Sequence, residues 1–546
     1  MRRFFLWGLV TWLLVWAAPV GADPGGAVPP RVVAGPAPSA SPSGPAPSGP
    51  SSSADDTRVT IRRFLIEGAR TQRVEALHKL VAPYENQEYS LKELNRVAQV
   101  VAAYYRGLGY FLTKAYVPVQ TIGNDGVAKI QVVEALIGEV FVEGNKYRSK
   151  AQIASFFSAL QRSAAPRYSE FDRAVRLLNE LIGVKASAVL RPGKEPERVD
   201  VTVKVEDKNP VKIYADYNNY GNRFVGVNRA GLGYLHGNLT GNADALLVRG
   251  VSAFPSRDLT PFVQTAYTFP LNRNGTALAL NYTNGATAVG EELASLDIRS
   301  RANVYGFTVT QAVVRDKDAS SNLSAGFVGK SFTSFILNVP SSKDELRELF
   351  VDYSGDFSSA SGKNIYSVTV SRGLGTMFGG SSVNNPLSSR PGAGDTFTKF
   401  NGAYVRIQPV GSAAFLVLRG IGQLSTDRLV VGEQFAIGGP DTVRGYAQSQ
   451  VLGDYGYATT LELRAPILHT PDSDLQFAAF FDHGTVYTYS PGVGQNFSQS
   501  LTGTGFGFSG SYKNYNGKID FGFPVSPARN ATNSIPMVYV QVSGQF

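Results

Sequence analysis

Few side chains in this 546-residue chain are arranged for chemistry. Its four histidines, His78, His236, His469 and His483, are dispersed, and no two of them have the helical spacing of a metal site. Cysteine is absent, which excludes disulfides, thiolate metal sites and cysteine nucleophiles. No Gly-x-Ser-x-Gly elbow occurs either. We therefore expect a protein that is not an enzyme, holds no metal and needs no cofactor.

Two glycine-rich stretches come close to nucleotide-binding patterns. Residues 326–331 are two residues short of a phosphate loop and lie among predicted strands rather than before a helix. Residues 505–510 match the dinucleotide glycine pattern, but there Phe506 and Phe508 alternate with small residues, as they would along a barrel strand. The sequence favours strands at both places and predicts no nucleotide site.

One polar stretch, residues 438–446, interrupts a long series of short alternating strands. Its glycine, proline and aspartate content predicts a loop. Arg444 stands between Val443 and Gly445, with Tyr446 just beyond. On an exposed loop this arginine would be solvated. On a loop folded back inside a barrel it would need a carboxylate, because a shielded guanidinium left unpaired is costly. Gly445 would then let the backbone approach closely, and Tyr446 would cap the contact.

A strand further along the chain offers that carboxylate. Its period-two alternation places Asp482 and Gly484 on the face opposite Phe481. If Phe481 faces lipid, Asp482 faces the lumen, where a loop folded inward could meet it. Glu462, on the lumenal face of the preceding strand, is an alternative partner. We predict that Arg444 and Asp482 form a charge-assisted pair that holds the loop against the inner wall.

The N-terminal residues predict export and then a linker. Residues 1–22 have the form of a secretory signal, with Arg2 and Arg3 before an apolar core and a small-residue cleavage site; an uncleaved anchor helix is the alternative. Residues 23–56 are rich in Pro, Ala, Ser and Gly. They predict a semi-extended linker, because so few large apolar side chains could not offset the entropy of ordering.

The order strand-helix-helix-strand-strand is then predicted twice, in residues 57–136 and in residues 137–208. In the first unit, Ser90 and Glu93 form a capping box that begins the helix predicted at residues 91–108. A pair of unrelated α+β domains is the alternative to a repeat. An open sheet edge in such a unit can accept an extended partner as an added strand.

Residues 209–546 predict strands alone. Candidate strands number about eleven before the Arg444 loop and about five after it, so about sixteen, an even number as single-chain barrels require. Charged side chains alternate with aliphatic and aromatic ones, as Glu462 does with Leu461 and Leu463, which suits a wet lumen and a lipid-facing exterior. We predict a transmembrane β-barrel of about sixteen antiparallel strands. The last strand alternates most cleanly and ends on Phe546.

The Val443-Arg444-Gly445-Tyr446 loop, followed by a strand carrying Asp482-x-Gly484, resembles the lid loop of outer-membrane transporters that join POTRA domains to a barrel. The nearest branch is the two-partner secretion translocators (TpsB), the haemolysin and filamentous-haemagglutinin secretion and activation proteins. The resemblance implies POTRA domains at 57–136 and 137–208, and a barrel at 209–546 whose loop folds inward at about 438–452. A terminal aromatic such as Phe546 resembles the signal that the barrel-assembly machinery reads.

This resemblance also implies a function and a location. POTRA domains in the periplasm of a Gram-negative bacterium would capture an unfolded exoprotein (TpsA-like, β-helical), and the outer-membrane barrel would export it without nucleotide hydrolysis. A barrel-assembly insertase is one alternative, although proteins of that kind usually carry more POTRA domains. A passive solute porin is another, and the lid loop and POTRA pair argue against it. Formal net charge is +9, but the basic residues form no run or stripe, so we expect no nucleic-acid partner.

Overall fold

The computed structural model describes residues 58–255, 261–411, 413–489, 497–525 and 536–546. Two small α+β units lead into a closed barrel. The signal sequence predicted at residues 1–22 and the linker predicted at 23–56 lie outside the described residues. No helix in the described ranges is both long and apolar enough to cross a membrane.

In the first unit, two helices pack on a small sheet. Its elements are β1 (Val59–Ile61), β2 (Arg63–Glu67), α1 (Val74–Val81), β3 (Gln87–Tyr89), α2 (Leu91–Gly107), β4 (Thr113–Tyr116) and β5 (Val127–Glu134). β5 is central, with β2 parallel and β4 antiparallel to it. Ser90 and Glu93 form a capping box at the start of α2. The core between helices and sheet includes Phe64, Tyr105 and Ile130, all fully buried.

The second unit repeats the order strand, helices, strand, strand around a second core, without a counterpart of the β1–β3 pair. Its elements are β6 (Leu136–Glu143), α3 (Lys150–Ala154), α4 (Ser158–Arg162), α5 (Tyr168–Asn179), β7 (Val184–Pro192) and β8 (Arg198–Asp207). β8 is central, with β6 parallel and β7 antiparallel to it. The sequence pattern indicated one helix at residues 151–160. A 3₁₀ turn at Ser155–Phe157 divides it, because the adjacent Phe156 and Phe157 both enter the core.

Sixteen strands close into one antiparallel barrel. They are β9 (Val211–Asn218), β10 (Asn228–His236), β11 (Ala245–Phe254), β12 (Phe262–Pro270), β13 (Thr276–Ala288), β14 (Arg299–Arg315), β15 (Ala319–Ile336), β16 (Val339–Ser359), β17 (Gly362–Gly373), β18 (Thr398–Val410), β19 (Ala414–Ser425), β22 (Tyr455–His469), β23 (Ser473–Tyr487), β24 (Ser498–Tyr512), β25 (Tyr515–Pro524) and β26 (Met537–Gln545). β26 closes the ring by pairing with β9. The predicted architecture, a barrel of sixteen antiparallel strands, is confirmed.

The barrel wall has an apolar exterior and a polar interior. Leu461 and Leu463 are each 46% exposed on the outer face of β22, whereas Glu462 between them is 4% exposed. Phe481 and Asp482 on β23 divide in the same way. Period-two alternation therefore sends charge into the lumen and leaves hydrocarbon for lipid.

The second unit is fastened to the turns at one end of the barrel. At the end of β8, the buried Asp207 carboxylate accepts hydrogen bonds from three successive backbone N–H groups that end at Arg148, and it pairs with the Arg148 side chain at 2.6 Å. Arg148 Nη2 donates to the carbonyl of Gly237, 2.8 Å away in the turn after β10. Arg173 on α5 donates to the carbonyl of Asn274, 2.9 Å away in the turn after β12. These contacts hold the unit at that end of the barrel.

The connection between β19 and β22, residues 426–454, turns back into the barrel. It carries a short ribbon of β20 (Phe435–Ile437) and β21 (Val451–Gly453). Val443 and Tyr446 are buried in one cluster with the wall residues Ala458 and Leu501. The part of this connection at residues 438–452, called the lid loop below, therefore lies against the inner wall.

Candidate functional site

Glycines shape the tip of the lid loop. Gly438, Gly439 and Gly445 have φ angles of +105°, +101° and +99°, in a region that other L-residues rarely adopt. A Cβ at Gly445 would lie 2.8 Å from the backbone carbon of Phe523 on β25. Glycine next to Arg444 thus lets the backbone of the loop touch the wall.

Arg444 is buried at this wall, only 3% exposed, and Asp482 on β23 is 0% exposed. Nε and Nη2 of Arg444 lie 2.8 Å and 3.0 Å from the two carboxylate oxygens of Asp482. The backbone N–H of Arg444 donates to the same carboxylate at 3.1 Å. This bidentate, charge-assisted geometry fixes the orientation of the guanidinium as well as its position. The structure brings together the two side chains that the sequence analysis paired.

Two further carboxylates share the guanidinium. Nη1 of Arg444 lies 2.9 Å from Glu462 Oε2 and 3.4 Å from Asp520 Oδ2. Glu462, considered from the sequence as a rival to Asp482, is an additional partner. Strands β22, β23 and β25 each supply one carboxylate, and these converge on Arg444. Within the described ranges, no group of three or more His, Cys, Asp or Glu residues is placed to hold a metal ion.

Other cations and an aromatic ring complete the anchor. Arg464 pairs with Glu462, and Lys518 Nζ lies 2.8 Å from Asp520. With Arg444 these make three cations against three carboxylates, so the formal charges sum to zero. The ring of Phe480 lies under the guanidinium, with its centroid 3.3 Å from Arg444 Cζ. Such a cation–π contact is strongest where water is excluded.

A row of glycines on β24 makes room for these groups. A Cβ at Gly503 would lie 1.9 Å from the carbonyl oxygen of Arg444, and one at Gly505 would lie 2.6 Å from the Phe480 ring. A Cβ at Gly507 would lie 2.2 Å from Asp520 Oδ1. The glycine run at residues 505–510 is thus part of a strand, and its lumenal glycines form a floor under the anchor.

The tyrosines of the site hold the loop backbone. Gly445 N–H donates to the Tyr539 hydroxyl at 3.0 Å, and that hydroxyl donates to the carbonyl of Tyr446 at 2.6 Å. The Tyr446 hydroxyl donates to the carbonyl of Thr502 at 2.9 Å, so its side chain reaches β24. A Cβ at Gly484 would lie 3.2 Å from Val443 Cγ2, which makes Gly484 part of the surface beneath the loop.

Phe546 lies away from this anchor. It is exposed, its ring contacts that of Tyr515 at a centroid distance of 5.8 Å, and its backbone exchanges hydrogen bonds with Ile213 on β9. The terminal residue therefore extends the seam at which β26 meets β9.

The sequence analysis did not assign Asp520, Phe480 or Tyr539 to the site. All three stand on faces that alternation marks as lumenal, so the sequence held a partial signal. Alternation shows which face of a strand a residue occupies, but not its position along the barrel axis. That position depends on the stagger between strands.

A barrel of sixteen strands with an apolar exterior, two α+β units that precede it in the chain and a loop anchored in its lumen are the features of an outer-membrane transporter with periplasmic POTRA domains. Comparison with known families supports this class. Residues 197–510 match the model of haemolysin secretion/activation protein ShlB/FhaC/HecB, and residues 59–135 match the POTRA domain, ShlB-type. The chain belongs to the ShlB/FhaC/HecB family of haemolysin secretion/activation proteins.

Individual relatives are distant in sequence, and the solved structure of one of them is similar in fold. The chain is 22% identical over 453 residues to the heme/hemopexin transporter protein HuxB of Haemophilus influenzae, a match that covers 80% of this chain and 78% of HuxB. It is 21% identical to the outer membrane transporter CdiB of Escherichia coli, over 76% of this chain and 70% of CdiB. The solved structure of CdiB from Escherichia coli covers 91% of this chain and 93% of its own, with a TM-score of 0.77 and 20% identity.

Proposed function

We propose that this transporter receives an unfolded exoprotein in the periplasm and exports it through the barrel without nucleotide hydrolysis. In this proposal residues 57–136 and 137–208 are the receiving POTRA domains, residues 209–546 form the barrel, and the lid loop closes it at rest. Membership of a secretion and activation family supports a secreted protein as cargo. HuxB and CdiB are both named as transporters, which supports transport as the general activity.

The observation that carries this proposal is the anchored arginine of the lid loop. The loop is fixed to the inner wall by three carboxylates, and together with the two α+β units this argues against a passive solute porin. A lumen that opens for a polypeptide must release that loop and then hold it again. An ion-pair network serves this purpose because its partners can separate and re-form without covalent change.

Reception of the cargo is proposed at the edges of the POTRA sheets. β6 and β7 are the outer strands of the second sheet, and β2 and β4 are those of the first. An outer strand offers unpaired backbone groups to which an extended polypeptide can add. Because the second unit is fastened to the barrel turns, a strand captured there would lie close to the lumen.

Two further partners belong to the proposal. Outer-membrane lipid surrounds the apolar exterior of the barrel. The barrel-assembly machinery inserts the chain, and the exposed aromatic side chain of Phe546 at the end of β26 suits recognition by it.

The test compares lid variants with a control in the same lumen. Arg444→Ala and Asp482→Ala should each lower secretion of the exoprotein partner by about tenfold or more, because each leaves buried charge unpaired. Exchanging the two residues is less clean, because a carboxylate at position 444 would face Glu462 and Asp520. Arg249→Ala, which breaks the lumenal pair with Asp216 on β9, is the matched control.

Secretion is measured by immunoblot of the culture medium, and barrel assembly by heat-modifiable mobility in gels. Undiminished secretion by both lid variants would contradict the proposed lid. Equal losses of secretion in the lid variants and in Arg249→Ala would mean that removing any lumenal ion pair impairs secretion, and that the lid anchor has no special role.

A further inference from the structure

A short turn outside the barrel exposes two large apolar side chains. After β17 the chain forms a 3₁₀ turn at Met377–Gly379, in which Met377 is 57% exposed and Phe378 is 72% exposed. Phe378 has a φ angle of +53°. A bulky residue rarely adopts this left-handed conformation, so surrounding contacts must hold it there.

The turn lies against the apolar outer face of the barrel. The ring of Phe378 packs edge-on to that of Phe327, with centroids 6.3 Å apart. Phe327 stacks in turn on Phe307, which is exposed on the outer face of β14. Leu349, paired with Phe327 across the β15–β16 ladder, is half exposed on the same face. Phe378 therefore continues the lipid-facing surface rather than the rim of the lumen.

An arginine at the upper border of this apolar surface holds the turn. Arg347 on β16 lies two residues before Leu349 on the same outer face and nearer the rim of the barrel. Its Nε donates to the carbonyl of Phe378 at 3.1 Å. Its Nη2 lies 3.0 Å from Glu345, and its guanidinium lies 5.8 Å from the ring centre of Tyr305. A charged row with a tyrosine directly above hydrocarbon is the pattern of a membrane interface.

The connection between β17 and β18, residues 374–397, begins with this turn and at its other end reaches the base of the lid. Arg390 donates to the carbonyl of Leu429 at 2.6 Å and pairs with Asp454, so it touches both ends of the connection that carries the lid loop. The Ser389 hydroxyl accepts from Val431 N–H at 3.0 Å. Residues 374–397 therefore run from the outer face of the barrel to the segment that carries the lid.

We propose that Met377 and Phe378 insert into the outer leaflet at the boundary of headgroups and acyl chains, and that residues 374–397 link this lipid contact to the lid. Lipid is the partner that covers the exposed side chains of this turn, because Phe378 continues the lipid-facing surface through its contact with Phe327. If the turn faced water, Met377 and Phe378 would leave apolar surface exposed to solvent, which is unfavourable. In the interface they gain burial beside a charged row that marks the water side.

Spin-label accessibility tests the insertion directly. The chain contains no cysteine, so single-cysteine variants need no background changes. Phe378→Cys carries the label; Leu349→Cys is the control in lipid, and Leu337→Cys, in the tight turn between β15 and β16, is the control in water. The full chain is reconstituted into vesicles of phosphatidylethanolamine and phosphatidylglycerol, and collisions with oxygen and with a water-soluble nickel chelate are measured.

Insertion predicts that the label at position 378 follows Leu349→Cys, with high oxygen and low nickel accessibility. A label that follows Leu337→Cys overturns the proposal. A label shielded from both reagents also overturns it, because protein rather than lipid would then cover the turn.

Conductance in planar bilayers tests the link to the lid. Met377→Ser with Phe378→Ser should raise the fraction of time that single barrels spend open, whereas Phe378→Leu should not. Heat-modifiable mobility shows that each variant is assembled. If the label reports insertion and the paired serine variant conducts as the parent does, the lipid contact stands and the link to the lid is wrong.

Discussion

The connection that carries the lid is held at two places by opposite charges. Near its start, Glu433 is buried between two lysines of the wall, with Lys330 Nζ 2.7 Å away on β15 and Lys399 on β18. At its tip, Arg444 is buried among three carboxylates. Lys330 also pairs with Glu348 on β16 at 2.7 Å, so two cations face two carboxylates at the Glu433 end. Both ends are formally neutral, but their geometries differ.

The two ends differ in how strictly their ion pairs constrain the orientation of the connection. Arg444 presents a planar fork that Asp482 grips at two points, with its backbone N–H bound to the same carboxylate. Lysine is a compact point charge on a flexible stem, and it tolerates rotation of its partner. We infer that the Arg444 end sets the orientation of the lid, whereas the Glu433 end only tethers it. Variants at the two ends should therefore differ in size of effect.

Asp482→Ala gives the largest expected effect. It leaves the Arg444 guanidinium buried with its main partner gone, and breaking a buried pair in this way costs about 3–5 kcal/mol. The free energy of unfolding should fall by this amount in urea titrations of the barrel folded in detergent micelles. Asp216→Ala is the control, because its pair with Arg249 on β11 joins two strands of the wall. Similar losses in both variants would remove any special role of the lid anchor.

Glu433→Gln should have a smaller effect, about 2–3 kcal/mol in the same titration. The amide keeps hydrogen-bonding capacity, and Lys330 keeps Glu348 as a partner. Lys399 alone loses its carboxylate. A loss as large as that of Asp482→Ala would show that the Glu433 end also sets the orientation of the lid. The distinction between the two ends would then be wrong.

The sequence revealed one of these ends and not the other. Arg444 stands in a loop marked by Gly438, Gly439 and Gly445, and alternation assigns Asp482 to the lumen, so local pattern sufficed to pair them. Glu433 lies in a stretch without periodicity, and its partners Lys330 and Lys399 are far apart in the chain. Nothing local marks such a cluster, because it is created by the path of residues 426–454 through the lumen.

The strand count and the repeat of α+β units were also accessible from the sequence, since both follow from local period and turn residues. The third carboxylate of the anchor was not. Asp520 is separated from Asp482 by β24, and their approach depends on barrel stagger and on the small side chains of that strand. A glycine run was visible there, but its purpose as a floor became clear only from what each Cβ would meet.

Gly503→Ala tests that floor and gives the smallest expected effect. The added methyl group would meet the carbonyl oxygen of Arg444 and push the loop backbone away from β24. Relaxation of the loop should limit the loss to about 1–2 kcal/mol, the lower part of the range for overpacking. Gly517→Ala on β25 is the control, because a Cβ there has no heavy atom within 4 Å.

The sharper readout for Gly503→Ala is the coupling with Asp482→Ala. If the methyl group acts by displacing Arg444 from Asp482, the two losses will not add, since the second change removes an interaction already weakened. Additive losses would mean that the glycine serves β24 alone. In that case the orientation of the lid is set by the carboxylates without help from the floor.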